Sequence, residues 1–297
     1  MHTKEEKLRA FGRLLDIQDR LRKECPWDRK QTYESLRPNT IEEVFELCDA
    51  LMNKDYKNIC KELGDVLEHV VFYAMLGSEE SRFDIADVCN AQCDKLMFRH
   101  DFIDWNKGEW YVTDPDMRIN ANGQVVYNEE EVNGDSTVKP TTAEQVASTW
   151  EMRKQHEKNG NECVLSGVPK SLPSLVKAYR IQDKARGVGF DWKDKADVWV
   201  KVREELDELE TELRKDDREA STRELGDFLF SVINAARLYH LNPDNALESS
   251  NQKFIRRFGY VEEETLKKGK SLKDMSLEEI DELWNEAKRK ETITKNQ

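Results

Sequence analysis

The sequence predicts an all-α fold, and three observations support this fold class. Helix-breaking residues are scarce, with 7 Pro and 13 Gly among 297 residues, whereas charged residues make up 36% of the chain. Apolar residues recur at helical spacing, for example at Leu8, Phe11 and Leu15. A pair of acidic motifs occurs twice, which indicates two copies of one helical module in a chain of this length.

Apolar periodicity and capping signals predict the helices in chain order. The helical segments are expected at about 8–21, 40–53, 59–74, 84–102, 141–158, 173–186, 195–215, 219–240, 243–268 and 276–290. Pro243 suits the first turn of a helix, and Ser276 with Glu279 matches a capping box. Two of these helix starts are therefore supported by local chemistry as well as by periodicity.

Between about 103 and 140 the helical pattern stops. The segments Trp110–Val112 and Val125–Tyr127, separated by Asn122-Gly123, suggest a short β-hairpin followed by a polar stretch. A disordered spacer is the alternative, because an isolated hairpin is marginally stable in water. The expected domains are an N-terminal one over 1–102, a linker with the hairpin over 103–140, and a C-terminal one over 141–297.

Charge and cysteine usage narrow the function classes. The net charge of −13 disfavours nucleic-acid binding, since phosphate backbones are held by clustered Lys and Arg. Without a segment of transmembrane length or a signal-peptide pattern, no membrane association is expected, and the cytoplasm is the predicted compartment. Six cysteines without a CxxC pair favour reduced thiols over disulfides or zinc. Because the chain carries a net negative charge, an anionic substrate would need a bridging cation.

The repeated acidic motifs have a constant spacing. EExxE at 42–46 is followed by ELGD at 62–65, and both motifs recur 162 residues later at 204–208 and 224–227. Acids three residues apart lie on one face of a helix, so two packed helices bring four carboxylates together. Like charges at such distances repel by about 1–4 kcal/mol per pair, and a hard cation removes that cost. Carboxylates with substrate phosphates are typical ligands of Mg²⁺, for which Mn²⁺ can substitute.

Solvated helix faces are the alternative interpretation of these acids. Glu43 could instead close a capping box with Thr40, three residues earlier. In the second copy the position that matches Thr40 is Val202, which cannot cap, whereas Glu205 is present. The acid recurs without the cap, and this favours a metal site.

A basic helix face follows each acidic pair. Lys253 and Arg257 are four residues apart and match Lys95 and Arg99 at an offset of 158. Two cations on one face suit phosphate oxygens, although a basic surface paired with local Glu is the alternative. Arg257 is expected to be an exposed helical residue that contributes little to stability. Lys201, one turn before Glu205, could reach the same phosphates or simply pair with that acid.

Several further motifs identify a known family. They are CPWDRKQTYESL (25–36), FDIADV (83–88), KLMFRH (95–100), GVGFDW (187–192), KFIRRF (253–258) and the final ELW, besides the acidic motifs. Together they closely resemble bacterial MazG over nearly the whole chain outside 103–140. The resemblance implies tandem four-helix-bundle modules of the all-α NTP pyrophosphatase type, homodimerisation, and hydrolysis of nucleoside triphosphates to monophosphate and pyrophosphate for nucleotide-pool housekeeping.

The resemblance also implies the residues of the site. The implied Mg²⁺ ligands are Glu205, Glu208, Glu224 and Asp227. The implied substrate contacts are Lys201, Lys253, Arg257, Trp284 and Lys288. In the first copy the matching acids are Glu43, Glu46, Glu62 and Asp65, and the matching cations are Lys95 and Arg99. We expect a metal-activated water to attack the α-phosphorus in line, with the cations neutralising the other phosphates.

The C-terminal copy is expected to carry most of the turnover. The first copy has Phe98 where the second has Arg256, and the positions matching Trp284 fall within the inserted segment. Two other functions stay open at this point. One is a narrow-specificity enzyme of the same superfamily, acting on dUTP or phosphoribosyl-ATP, and the other is a catalytically idle nucleotide-sensing or interaction protein.

Overall fold

The computed structural model describes residues 1–129, 139–157 and 163–295. The helices are α1 (Lys4–Glu24), α2 (Tyr33–Met52), α3 (Tyr56–Glu79), α4 (Ile85–Arg99), α5 (Ala143–Gln155), α6 (Ser174–Gly187), α7 (Asp197–Arg214), α8 (Arg218–Leu238), α9 (Pro243–Lys267) and α10 (Leu277–Lys295). The strands are β1 (Met117–Ile119) and β2 (Val125–Tyr127). The predicted all-α class is confirmed. The chain divides into two compact units, Met1–Lys154 and Gln155–Gln297.

In the first unit α2 and α3 pack along each other, and α1 and α4 pack on α3. The core contains Leu36, Phe72 and Leu76, with Tyr33 and Tyr73 against them. In the second unit α7 packs along α8 in the same way, α6 and α9 contact α8, and α10 packs on α9. The prediction of tandem helical modules is therefore confirmed.

Helix α2 begins seven residues before its predicted start. The side chains of Thr32 and Ser35 cap it reciprocally, and the buried Leu36 anchors the first turn in the core. Thr40 thus lies inside the helix, and its Oγ1 contacts the carbonyl of Leu36, Nδ1 of His69 at 2.6 Å and the hydroxyl of Tyr73 at 2.6 Å. The alternative capping box of Thr40 with Glu43 is wrong.

The hairpin exists, but its first strand is not the predicted Trp110–Val112. β1 pairs antiparallel with β2, and the turn contains Asn122 and Gly123, whose φ of +79° suits glycine. The buried carboxylate of Asp94 on α4 accepts hydrogen bonds from the Thr113 backbone and hydroxyl and from the Asp114 backbone. This side-chain anchor holds the segment before β1 on α4, and Val112 packs on the cluster of Met97, Phe98 and Val125 without pairing as a strand.

Helix α5 is joined to α4 and to the hairpin by Arg153. Arg153 donates to the carbonyls of Phe98 at 3.2 Å and Val125 at 2.9 Å, and its guanidinium lies 4.1 Å from the ring centre of Phe98. The expected C-terminal domain began at residue 141, whereas the compact units divide between Lys154 and Gln155 because of these contacts.

In the second unit the core contains Val198, Val202, Ala235 and Leu238, with Phe228 packed against them. The two predicted helix starts are confirmed. Asn242 caps α9 with Pro243 in the first turn, and Ser276 exchanges capping hydrogen bonds with Glu279. Among the described residues, no helix combines the length and apolar character that a membrane span requires.

Candidate active site

Three of the four acids in the second unit meet where α7 packs along α8. Glu205 on α7 and Glu224 and Asp227 on α8 each offer a carboxylate oxygen, and these oxygens lie within 4.8 Å of one another. Glu205 is buried, since the core around Val202 and Phe228 closes the interface beside it. An oxygen-only set of three carboxylates at this spacing fits a hard divalent cation.

Glu208 lies one turn beyond Glu205 on the same helix and outside that group of three. Partial desolvation raises the pKa of the Glu208 carboxyl, and the negative charges of Glu205 and Glu224 raise it further. Glu208 lines a cleft of about 800 Å³ between α7 and α8, together with Glu204, Asp207, Glu212 and Glu224. Glu208, the fourth acid, therefore lies on the cleft side of the cluster, where the charges of Glu205 and Glu224 still affect its pKa.

Lys201 pairs with the acids of its own helix. Its Nζ lies 2.7 Å from Glu205 and 2.8 Å from Glu204, and the two hydrogen bonds raise the pKa of the ammonium group above its ordinary value. Of the two roles that the sequence left open, the ion pair with Glu205 is the one that this structure contains. The same ammonium group borders the acidic cluster, so it stays a candidate substrate contact.

Arg257 and Trp284 are brought together where α9 packs on α10. The guanidinium of Arg257 lies 5.8 Å from the ring centre of Trp284, and the ring centres of Trp284 and Phe254 are 5.1 Å apart. Nε and Nη2 of Arg257 bind Oε2 of Glu291 at 2.9 and 2.8 Å, and its side chain is only 18% exposed. The expectation of an exposed Arg257 is therefore wrong. Sequence reasoning also missed Glu291, which is 34 residues away along the chain.

The remaining cations lie on the surfaces of their helices. Lys253 on α9 and Lys288 on α10 are exposed. The cleft beside Glu208 is lined by residues of α7 and α8. The structure thus gathers the metal-binding candidates in one place and Arg257 with Trp284 in another.

The first unit contains a matching acidic cluster with a different counter-charge. Glu43 on α2 and Glu62 and Asp65 on α3 offer oxygens within 4.8 Å of one another, and Oε2 of the buried Glu62 has no hydrogen-bond partner among the described residues. Lys61 Nζ lies 2.9 Å from Glu62, 3.3 Å from Asp65 and 4.0 Å from Glu46. Desolvation raises the pKa of Glu43, and the charges of Asp65 and Glu46 add to it.

Lys61 was not identified from the sequence, although it directly precedes the ELGD motif. At the matching position of the second copy, Arg223 binds Glu219 one turn earlier on α8, at 2.8 Å. The two clusters therefore share their acids and differ in the cation beside them. Lys61 comes from the helix of the ELGD motif, and Lys201 comes from the helix of the EExxE motif.

The basic helix face of the first copy is partly covered. Phe98 is fully buried against Val125 of the hairpin, whereas the matching Arg256 has an exposed side chain. Arg99 lies 5.8 Å from the ring centre of Trp150 on α5, and Lys95 is half-buried on α4. The inserted hairpin and α5 occupy the side of α4 that carries charge in the matching helix α9.

Comparison with known proteins identifies relatives along nearly the whole chain. The profile of the MazG nucleotide pyrophosphohydrolase domain matches residues 31–103 and 197–261. Nucleoside triphosphate pyrophosphohydrolase of Escherichia coli K12 is 36% identical over 291 residues, covering 96% of this chain and 99% of the relative. The pyrophosphohydrolase/pyrophosphatase MazG of Thermotoga maritima is 37% identical over 281 residues, covering 94% and 95%. The uncharacterised protein YabN of Bacillus subtilis is 39% identical over 294 residues, covering 97% of this chain and 54% of the relative.

Proposed function

Because the chain belongs to the MazG family and is a nucleoside triphosphate pyrophosphohydrolase, we propose that it releases nucleoside monophosphate and pyrophosphate with a divalent cation bound in its second unit. The observation that supports this most directly is the group of three carboxylates of Glu205, Glu224 and Asp227 within 4.8 Å. Glu208 completes the set from the cleft. Mg²⁺ is the expected ion and Mn²⁺ its substitute, and a cytoplasmic role in nucleotide-pool housekeeping fits this reaction.

In this proposal the acids bind the metal ion and the basic side chains neutralise substrate phosphates. When bound, the cation supplies an activated water and stabilises charge on the phosphate oxygens. Glu205, Glu224 and Asp227 would hold the ion, and their mutual repulsion gives the cluster an affinity for positive charge. Lys201 beside Glu205 is placed to neutralise a phosphate oxygen that enters the cluster, because its ammonium group already lies among the acids.

Arg257, Lys253, Trp284 and Lys288 are proposed as the remaining substrate contacts. Arg257 is held by Glu291, so a phosphate group that binds this guanidinium has to share it with the carboxylate or displace it. The indole of Trp284, tilted against the ring of Phe254, presents an aromatic surface beside Arg257. Two separate groups of residues would thus act on one extended, highly charged substrate.

We further propose that the second unit carries most of the turnover and that the first has a stabilising or regulatory role. Glu43, Glu46, Glu62 and Asp65 retain the acidic pattern, and Lys61 contacts three of them, as Lys201 contacts acids of the second unit. Lys95 and Arg99 are the secondary candidates for substrate contacts, on a helix partly covered by the insertion. A triphosphate there would find fewer exposed cations than on α9.

A homodimer is proposed as the functional state. Apolar side chains that are roughly half exposed follow α7 and α8 in the second unit and α2 and α3 in the first, among them Val200, Leu229, Phe45 and Leu63. Apolar surface of this extent on packed helix pairs is typical of protein–protein contacts. Light scattering coupled to size-exclusion chromatography measures the oligomeric state directly.

The decisive experiment is product analysis with each nucleoside triphosphate in the presence of Mg²⁺. The proposal requires pyrophosphate as the released product, and release of orthophosphate would contradict it. Extending the substrate panel to dUTP and phosphoribosyl-ATP separates a general enzyme from a narrow one. Tight nucleotide binding without any product would indicate the catalytically idle alternative, against which the presence of all four acids in the sequence of both copies argues.

A further inference from the structure

The segment 150–157, which contains the end of α5, repeats a residue pattern of α10 that the offset of 158 conceals. Trp284, Lys288 and Glu291 follow the spacing Trp-x-x-x-Lys-x-x-Glu, and the same spacing occurs at Trp150, Lys154 and Glu157. Each residue of the earlier set lies 134 positions before its counterpart in the later set. The basic faces of α4 and α9 match at 158, so the two offsets differ by 24 residues, and the inserted segment lies between the two matching stretches of the first copy.

The structure gives Trp150 the same kind of partner as Trp284. The guanidinium of Arg99 on α4 lies 5.8 Å from the ring centre of Trp150, and the guanidinium of Arg257 on α9 lies 5.8 Å from that of Trp284. Arg99 and Arg257 are matching residues of the two basic helix faces. Spacing and contact therefore agree that α5 is the counterpart of α10. The position that matches Trp284 lies on α5 and not within the inserted segment, as a single offset predicts.

Basic side chains surround the indole of Trp150. The ammonium group of Lys154, one turn further along α5, lies 5.0 Å from the ring centre, close to the Arg99 guanidinium on the same indole. The imidazole of His100, the residue after Arg99, has its ring centre 6.1 Å from that of Trp150. Although the chain has a net charge of −13, positive charge is thus concentrated around one aromatic side chain of the first unit.

Arg153 holds α5 in place and leaves the indole accessible. Its guanidinium lies 4.1 Å from the ring centre of Phe98, donates to two backbone carbonyls and lies 3.7 Å from the carboxylate of Asp101. Arg153 is therefore occupied by the first unit itself. Trp150, three residues earlier, is 37% exposed, so a molecule from solution can reach its ring.

An exposed indole with two flanking cations suits a nucleotide better than a simpler ligand. Aromatic side chains stack on bases of any kind, because every base has a flat π-face. Guanidinium and ammonium groups form charge-assisted hydrogen bonds with phosphate oxygens. Helix α4 also packs on α3, which carries Glu62 and Asp65, as α9 contacts α8 in the second unit. The first unit therefore contains the same kinds of group on corresponding helices.

We propose that the first unit binds a nucleoside triphosphate of its own, with the base against Trp150 and the phosphates on Arg99 and Lys154. The choice of ligand rests on the proposed function, because Arg257, Trp284 and Lys288 are the substrate contacts proposed there. Binding at Trp150 requires no turnover in the first unit. It gives the proposed regulatory role a ligand, since occupancy of this site follows the triphosphate concentration.

The test counts nucleotide sites on the full-length protein by calorimetry, with Mg²⁺ and an ATP analogue in which a methylene group replaces the oxygen between the α- and β-phosphorus atoms. The proposed reaction breaks this bridge, so the analogue measures binding without turnover. Wild type should bind two molecules per chain. Trp150→Leu/Lys154→Ala should weaken one site by at least about tenfold, because it removes a stacking surface and a charge-assisted hydrogen bond. The matched variant Trp284→Leu/Lys288→Ala should weaken the other site.

Conservative variants separate loss of contact from loss of fold. Trp150→Phe/Lys154→Arg keeps an aromatic ring and a cation and should retain both sites, and inorganic tripolyphosphate, which has no base, should bind equally to wild type and Trp150→Leu. One site per chain in wild type, or two unweakened sites in Trp150→Leu/Lys154→Ala, would overturn the proposal. Two unweakened sites in Trp284→Leu/Lys288→Ala would instead contradict the second-unit contacts of the proposed function, so the two failures are distinguishable.

Discussion

Replacement of Arg257 by Ala tests two roles of this side chain, the ion pair with Glu291 that stabilises the fold and the proposed contact with a substrate phosphate. Arg257 binds Glu291 through two nitrogens at 2.9 and 2.8 Å, with side chains 18% and 26% exposed. Exposed ion pairs contribute about 0–1 kcal/mol, and breaking a fully buried pair costs about 3–5 kcal/mol. This half-buried pair lies between those limits, so Arg257→Ala should lower the free energy of unfolding by about 1–2 kcal/mol.

The assay is urea denaturation of Arg257→Ala, Glu291→Ala and the double variant, with kinetics on the same preparations. The double variant should be destabilised by less than the sum of the single variants, since both remove the same interaction. Glu291→Ala keeps the guanidinium and should retain far more kcat/KM than Arg257→Ala, which removes a proposed phosphate contact. Additive stability losses would show that the two residues do not interact. Wild-type kinetics in a destabilised Arg257→Ala would make Arg257 purely structural.

Three further predictions concern the metal, the two units and acid stability. Chelation with EDTA should abolish hydrolysis and Asp227→Asn should lower kcat by orders of magnitude, and undiminished turnover in either case would remove the metal site. Glu208→Ala/Glu224→Ala should eliminate most turnover in steady-state assays while Glu46→Ala/Glu62→Ala preserves it, and the reverse pattern would assign catalysis to the first unit. The hydrogen bond from Arg22 lowers the pKa of Glu79, so this pair stabilises the fold above pH 4.5 and that stability is lost as the pH falls through the lowered pKa. Glu79→Gln should therefore lower the free energy of unfolding at neutral pH. Below pH 4.5 the variant should lose less stability than the wild type as the pH falls, which denaturation at a series of pH values measures. An unchanged pH profile would refute the role of the pair.

Local signals in the sequence predicted part of this fold well. These signals act within four residues, so Pro243 for α9 and Ser276 with Glu279 for α10 mark the helix starts correctly. The start of α2 was predicted too late for two reasons: its capping pair, Thr32 with Ser35, lacks the usual Glu or Gln at the third position, and the burial of Leu36 against Phe72 depends on a residue far away in the sequence. The first strand was misplaced for a similar reason. The hydrogen bonds that Thr113 donates to Asp94 join residues 19 positions apart, and no short pattern indicates them.

The candidate site was likewise predictable where local spacing determines it and not where packing between distant residues does. The spacing of EExxE and ELGD was sufficient to predict that acids on two helices meet, and three of four in each unit do so. The partners of the cations were not predictable in this way, because Glu291 reaches Arg257 through the packing of α10 on α9.

The burial of Phe98 and Val125 determines where the first unit can be separated from the rest of the chain. A polypeptide that ends at residue 102 would leave Phe98 and Met97 open to water, and each such side chain loses about 1.5–3 kcal/mol of burial free energy. It would also lose Arg153, whose guanidinium satisfies two backbone carbonyls of this region. The inserted hairpin is thus a part of the N-terminal core, and an autonomous N-terminal unit has to extend through Lys154.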